Sequence, residues 1–281
     1  MKNSRVFGFI VIAITYILAI TVGIFVFMSV SHLDVWLKIL LADVAATVVV
    51  FIISLIFNNA SLYDPYWSVI PMIVVPLILI EAGGLTVGGI ILIAMVELWG
   101  LRLTANWAYT FKGLSVQDWR YDNFKRSSGK AFPLVSLTGI QMMPTLIVFA
   151  CMMPAIEYAG GGGDFSPLCG IGVTVMLIGI ALETLSDLEK HISRAKGSSG
   201  IIRSGIWKKG RHPNYLGEIL FWWGVYLYAV CAHPELWWTF FGALINTMLF
   251  VFISIPMAEK QSALRHADEW NEYKSETRMF I

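Results

Sequence analysis

The stretch that decides the fold reads PLCGIGVTVMLIGIALETL (residues 167–185), then SDLEKHISRAKGSSGIIRSGIWKKGRHPNY (186–215), then LGEILFWWGVYLYAVCA (216–232). Its outer pieces approach the roughly 20 apolar residues that a helix needs to cross the hydrocarbon core of a bilayer. The piece between them is a basic loop. The same alternation recurs along the chain, with apolar runs at about 6–30, 35–57, 67–80, 85–103, 132–153 and 237–255. The run at 67–80 is short and carries Pro71 and Pro76, which kink or interrupt a helix, so the expectation is an all-α polytopic bundle of seven to eight transmembrane helices.

Composition agrees. The 281 residues are 57% hydrophobic and 14% charged with a mean hydropathy of +0.69, against about 25% charged residues in soluble domains. That balance excludes a water-soluble core. A net charge of +1 gives no reason to expect a nucleic-acid partner. Cys151, Cys169 and Cys231 lie in or beside apolar runs without metal-ligand spacing, so they read as packing residues and no metal is expected.

Lys and Arg accumulate on the cytoplasmic side of membrane proteins. With the N-terminus inside and eight crossings, Lys2 and Arg5, the basic residues of 102–130 and 190–211, and those after Pro256 all fall inside, which leaves only Lys38 outside. Both termini are therefore expected to be cytoplasmic. The run 6–30 is too long for a cleaved leader's apolar region of about 7–15 residues and reads as the first span. One membrane-embedded domain, 1–281, is expected, with 1–130 forming a substrate side and 131–281 a cofactor side.

Ionisable groups in apolar spans are costly unless paired or facing a polar cavity, so each marks a candidate site. Glu183 and Asp187 are four apart and share a helix face, which His191 and Arg194 continue toward the basic loop. In that loop Gly, Ser and five basic residues surround Trp207. Fixed Arg and Lys donors suit phosphate oxygens and an indole face suits a flat ring. Pro213 stands where an N-terminal helical proline is favoured, so the backbone N–H groups after it suit an anion. A phosphorylated cofactor fits this segment. So does an ordinary positive-inside loop that meets lipid headgroups.

With these motifs on the page, the chain resembles the membrane steroid 5α-reductase and sterol reductase superfamily, and most closely its bacterial uncharacterised members that share the C-terminal domain. The pieces are D-P-Y-W (64–67), L-R-L-T (101–104), Q-D-W-R-Y (117–121), Glu183 with Asp187, G-I-W-x-x-G-R-H-P-N-Y-L-G-E (205–218), and I-P-x-x-E-K (255–260) with Trp270 and Tyr273. The resemblance implies NADPH as hydride donor, contacted by Asp187, Arg194, Arg211, His212, Asn214, Tyr215 and Glu218. Glu183 and Trp207 join that set from the reading of the residues, although Glu183 stands where the steroid enzymes have asparagine. It implies reduction of a conjugated C=C in a lipophilic steroid-like, prenyl or acyl substrate, in a bacterial inner membrane. A buried carboxyl or a tyrosine hydroxyl would then assist at the substrate oxygen. Asp64 is the first candidate, followed by Tyr63, Tyr66 and Glu97, and Trp99 stands near the superfamily's tyrosine.

Two alternatives stay open. Isoprenylcysteine and phospholipid methyltransferases resemble the chain through R-H-P-x-Y-x-G and would use S-adenosylmethionine. A non-catalytic lipid-binding membrane protein would keep the fold without a catalytic acid.

Overall fold

The computed structural model describes residues 4–83 and 85–281, and Lys2 of the expected basic N-terminal pair lies outside them. Among the described residues eight helices are long and apolar enough to cross a membrane: α1 (Arg5–Ser29), α2 (Val35–Phe57), α3 (Ala60–Glu81), α4 (Val87–Thr110), α5 (Trp119–Gly160), α6 (Cys169–Ala195), α7 (Pro213–Ala232) and α8 (Pro234–Arg265). A short polar helix, α9 (Ala267–Glu276), follows. No strand occurs among the described residues. The protein is an all-α multi-pass membrane bundle.

The eighth span settles on the short run at 67–80. It is longer than its hydropathy shows, because α3 begins at Ala60 with a 3-10 turn whose residues Ser61, Leu62 and Tyr63 are buried. Polar residues that face the bundle lower the hydropathy of a span without exposing anything to lipid. Pro71 and Pro76 both lie within the helix.

The chain divides into two compact units, 1–84 with 100–156, and 85–99 with 157–281. The divisions fall just before α4, inside α4 and inside α5.

In the first unit, α2 turns one face inward. Asp43, Ala46, Thr47, Val50 and Ser54 are buried at helical spacing, whereas Ile52, Leu55 and Ile56 are exposed, as a lipid-facing side requires. Asn58, in the left-handed region at φ 55°, ends α2. Asn59 then ties two segments together. Its side chain accepts from Ser61 N at 2.8 Å and donates to the carbonyls of Leu114 at 2.9 Å and Val116 at 3.1 Å. Within α5, residues Ser136–Met142 form a π-helical segment.

In the second unit, α6 and α7 meet through glycines. A Cβ on Gly172 would lie 2.5 Å from Tyr228 N, one on Gly179 2.6 Å from Gly217 O, one on Gly217 2.6 Å from Gly179 O, and one on Gly224 2.7 Å from Met176 N. Lipid chains are as apolar as leucine, so spans associate by packing rather than by a hydrophobic drive, and small residues permit the closest approach. Elsewhere in this unit, Tyr228 Oη donates to Gly88 O at 2.7 Å, and Tyr158 Oη donates to Gly163 O at 2.7 Å and Asp164 O at 2.8 Å.

Gly217→Leu is expected to destabilise the protein by about 1–3 kcal/mol or more through overpacking. Gly170→Leu, on α6 where a Cβ would have nothing within 4 Å, should be neutral. Thermal unfolding in detergent compares them, and equal midpoints would refute the glycine contact as a stabilising element.

Candidate functional site

The α6 stripe exists as the spacing requires, and its exposure is graded. Glu183 is 2% exposed, Asp187 and His191 are half-buried, and Arg194 is exposed. The deepest member of the stripe touches α7, since a Cβ on Gly217 would lie 2.6 Å from Glu183 Cγ. The carboxylate stripe of α6 and the N-Y-L-G-E turn of α7 therefore come together in one unit.

Glu218 is buried beside that turn. Its Oε1 accepts from Trp222 Nε1 at 2.8 Å and its Oε2 from Trp99 Nε1 at 3.0 Å. Trp99 stacks on Phe221 with ring centres 4.7 Å apart and planes 7° apart, and meets Trp222 edge-on at 5.1 Å. A buried carboxylate is tolerable only when its oxygens are hydrogen-bonded, and two indoles do that here. Trp99, placed by sequence near the superfamily tyrosine, is thus a donor to Glu218. Glu97 lies half-buried on the same helix, α4.

The basic loop is pinned at several points. Gly205 adopts φ 56°, and a Cβ there would strike the Glu189 carboxylate. The next amide, Ile206 N, donates to both Glu189 oxygens, at 3.1 and 3.0 Å. Trp207 is buried; its Nε1 donates to Ser186 O at 3.2 Å, and Lys190 Nζ lies 4.4 Å from its ring centre. Tyr273 of α9 donates its hydroxyl to the Trp207 carbonyl, and burial pushes that hydroxyl's pKa up to about 12.

Arg211 and His212 anchor the segment after α9. Arg211 Nε donates to Glu259 Oε1 at 2.9 Å, its NH2 lies 2.8 Å from the same oxygen, and its NH1 donates to the Thr277 carbonyl. Lys274 Nζ takes the other Glu259 oxygen at 2.8 Å. The amides of Arg211 and His212 donate to the carbonyls of Arg278 at 2.9 Å and Met279 at 3.1 Å. His212 Nε2 stands 3.2 Å from Glu259 Oε1, and since a carboxylate only accepts, Nε2 carries the proton. Burial lowers the His212 pKa to about 4, and the Glu259 contact offsets only part of that. The Tyr215 ring stacks on His212 at 5.5 Å. Asn214 lies half-buried in the first turn of α7, where no side chain caps the helix.

Glu259 and Lys274 were not among the sequence candidates. Glu259 belongs to the quoted I-P-x-x-E-K piece, but nothing in the piece names Arg211 as its partner. Among the described residues no cluster of three or more His, Cys, Asp or Glu could hold a metal ion.

The substrate-side candidates of the first unit belong to buried and half-buried hydrogen-bonded groups. Tyr121 Oη donates to Asp64 Oδ1 at 2.7 Å, and Tyr66 Oη donates to Asp43 Oδ1 at 2.9 Å. Tyr63 Oη lies 2.8 Å from Thr145 Oγ1, which lies 2.9 Å from Thr47 Oγ1. The Tyr63 and Tyr66 rings are 5.3 Å apart. Sequence reasoning named Tyr63, Asp64 and Tyr66 but gave no sign that Asp43, Tyr121 and Thr145 are their partners; Tyr121 ends the quoted Q-D-W-R-Y piece.

The model of the family described as "Protein of unknown function (DUF1295)" matches residues 50–277. No curated protein and no solved structure matches the chain.

His212 gives the stability a defined pH dependence. Its folded pKa of about 4 lies below its ordinary 6.5, so the unfolded chain binds the extra proton between those values. Its contribution is complete above pH 6.5 and is lost as pH falls toward 4. His212→Gln, which keeps a donor for Glu259, should flatten this slope in detergent thermal melts from pH 7 to 4. Identical slopes in parent and variant would remove His212 as the cause.

Proposed function

The chain belongs to the DUF1295 family of proteins of unknown function, and we propose that it is a membrane-embedded NADPH-dependent reductase acting on a conjugated C=C of a lipophilic steroid-like, prenyl or acyl substrate. The observation that carries this reading is the meeting of Glu183 on α6 with Gly217 on α7. It joins the two motifs that resemble the cofactor side of the steroid 5α-reductase superfamily.

The donor set fits a phosphorylated dinucleotide. Arg194, Lys208 and Lys209 are exposed cations at the loop end of α6 and within the loop, and they suit pyrophosphate and 2′-phosphate oxygens. The first turn of α7 offers amides that have no intrahelical acceptor. Asp187 and Asn214, both half-buried, suit hydroxyl and amide groups of a nucleoside. Arg211 and His212 act on the cofactor through position: engaged by Glu259 and the carbonyls of 277–279, they hold the loop and the start of α7 in place. Glu218 accepts from Trp99 and Trp222 and so fixes the start of α7 against α4. When bound, NADPH supplies the hydride.

Proton supply is assigned to Asp64, with Tyr63, Tyr66 and Glu97 behind it. The Tyr121 hydroxyl donates to one Asp64 oxygen and so holds in place the carboxyl that would pass a proton to a substrate oxygen. Asp43 anchors Tyr66, and Thr145 anchors Tyr63, so their hydroxyls are held by partners rather than by solvent.

Purified protein in detergent should bind NADPH at least tenfold more tightly than NADH, as the 2′-phosphate contacts require, and Arg194→Ala should weaken NADPH about tenfold. Arg211→Ala is unsuitable here because it would break a buried ion pair and unfold the loop. Calorimetry with S-adenosylmethionine as a third ligand decides the class. Binding of that ligand without NADPH would replace the reading with a methyltransferase, and binding of neither would leave a non-catalytic protein. If NADPH binds, Asp64→Asn should lower enone-dependent NADPH oxidation by roughly 10²–10⁴-fold.

A further inference from the structure

A cleft of about 290 Å³ opens in the first unit, lined by none of the residues assigned above to cofactor or substrate. It is formed where α2 ends and α5 begins. Ser54, Asn58, Asn59 and Ser136 supply polar groups, Lys125 and Lys130 supply charge, and no Asp or Glu is among its described lining residues. We propose that it holds the phosphate of an anionic phospholipid headgroup.

Charge comes first. The Lys125 ammonium donates one N–H to Asn58 Oδ1 at 2.8 Å and lies 5.7 Å from the Phe132 ring centre. An ammonium carries three N–H groups, so this cation is held in place while retaining donors for an anion. Lys130 is exposed and brings a second charge to the same wall. Basic recesses between spans on the side where Lys and Arg accumulate suit anionic headgroups.

Shape and surroundings select a lipid. The volume lies at the lower end of small-molecule pockets, enough for a headgroup and too small for a dinucleotide. The cleft's own Leu55 is 44% exposed, and Ile56 and Leu134 beside it are 70% and 65% exposed. These surfaces offer acyl chains an apolar path directly beside the charged recess. Gly129, at φ 53° with nothing within 4 Å of a Cβ position, keeps the wall open.

The experiment uses full-length protein in detergent, with native mass spectrometry counting bound lipid and thermal melts run in parallel. Phosphatidylglycerol, phosphatidylcholine and inorganic phosphate are the probes. The parent should retain one phosphatidylglycerol, with phosphatidylcholine retained at least tenfold less. Lys125→Gln/Lys130→Gln should weaken phosphatidylglycerol retention about tenfold or more. Lys112→Gln/Arg265→Gln, at two exposed positions away from the cleft's lining, removes as much charge and should not. Lys130→Glu alone, at an exposed position, covers the case in which the double variant folds poorly. Equal retention by the cleft variants and the parent would overturn the site. Stabilisation by millimolar phosphate equal to that by phosphatidylglycerol would overturn the lipid assignment.

Discussion

The close approach of α6 and α7 through Gly172, Gly179, Gly217 and Gly224 is the constraint on which the rest of the second unit depends. In lipid there is no general apolar drive to bring two spans together, so van der Waals contact and satisfied polar groups must do it. Backbone contact at Gly179 and Gly217 also fixes where Glu183 stands relative to the start of α7. With that crossing set, the loop between the helices has a defined span to bridge. Glu189, Ser186 and Tyr273 hold its middle and Glu259 holds its end.

The first unit solves the same problem with hydroxyls. Asp43, Thr47, Tyr63, Tyr66 and Thr145 would each be expensive in hydrocarbon alone, and each is bonded within the unit. Such a cluster specifies how α2, α3 and α5 meet, because slipping one helix by a turn would orphan several groups at once. It also places the reactive hydroxyls and carboxyls of the proposed acid in fixed positions, which chemistry on a bound substrate requires.

Much of this was legible in the sequence. Runs of about 20 apolar residues located the spans, and the four-residue spacing of Glu183 and Asp187 gave their common face. The start of α3 was not legible, since Ser61, Tyr63 and Asp64 read as polar although they face inward. The π-helical segment at 136–142 has no signature in periodicity. Partners distant along the chain were hidden too. Arg211 read as a phosphate ligand because clustered Arg and Lys donors in a loop with Gly and Ser suit that task, and only the fold brings Glu259 to it. The glycines seven apart on α6 and on α7 were visible as small residues, but a sequence does not say which small faces meet.

The engagement of Arg211 by the Thr277 carbonyl, 66 residues later in the chain, also bears on the order of synthesis. Spans α1 to α7 are made, and can enter the bilayer, before the groups that hold the end of the basic loop have left the ribosome. During that interval Arg211 and His212 have neither Glu259 nor the carbonyls of 277–279 to bind. The end of the loop therefore matures last, and a nascent chain halted before Glu259 has seven spans in place while Arg211 and His212 still lack the groups that anchor them.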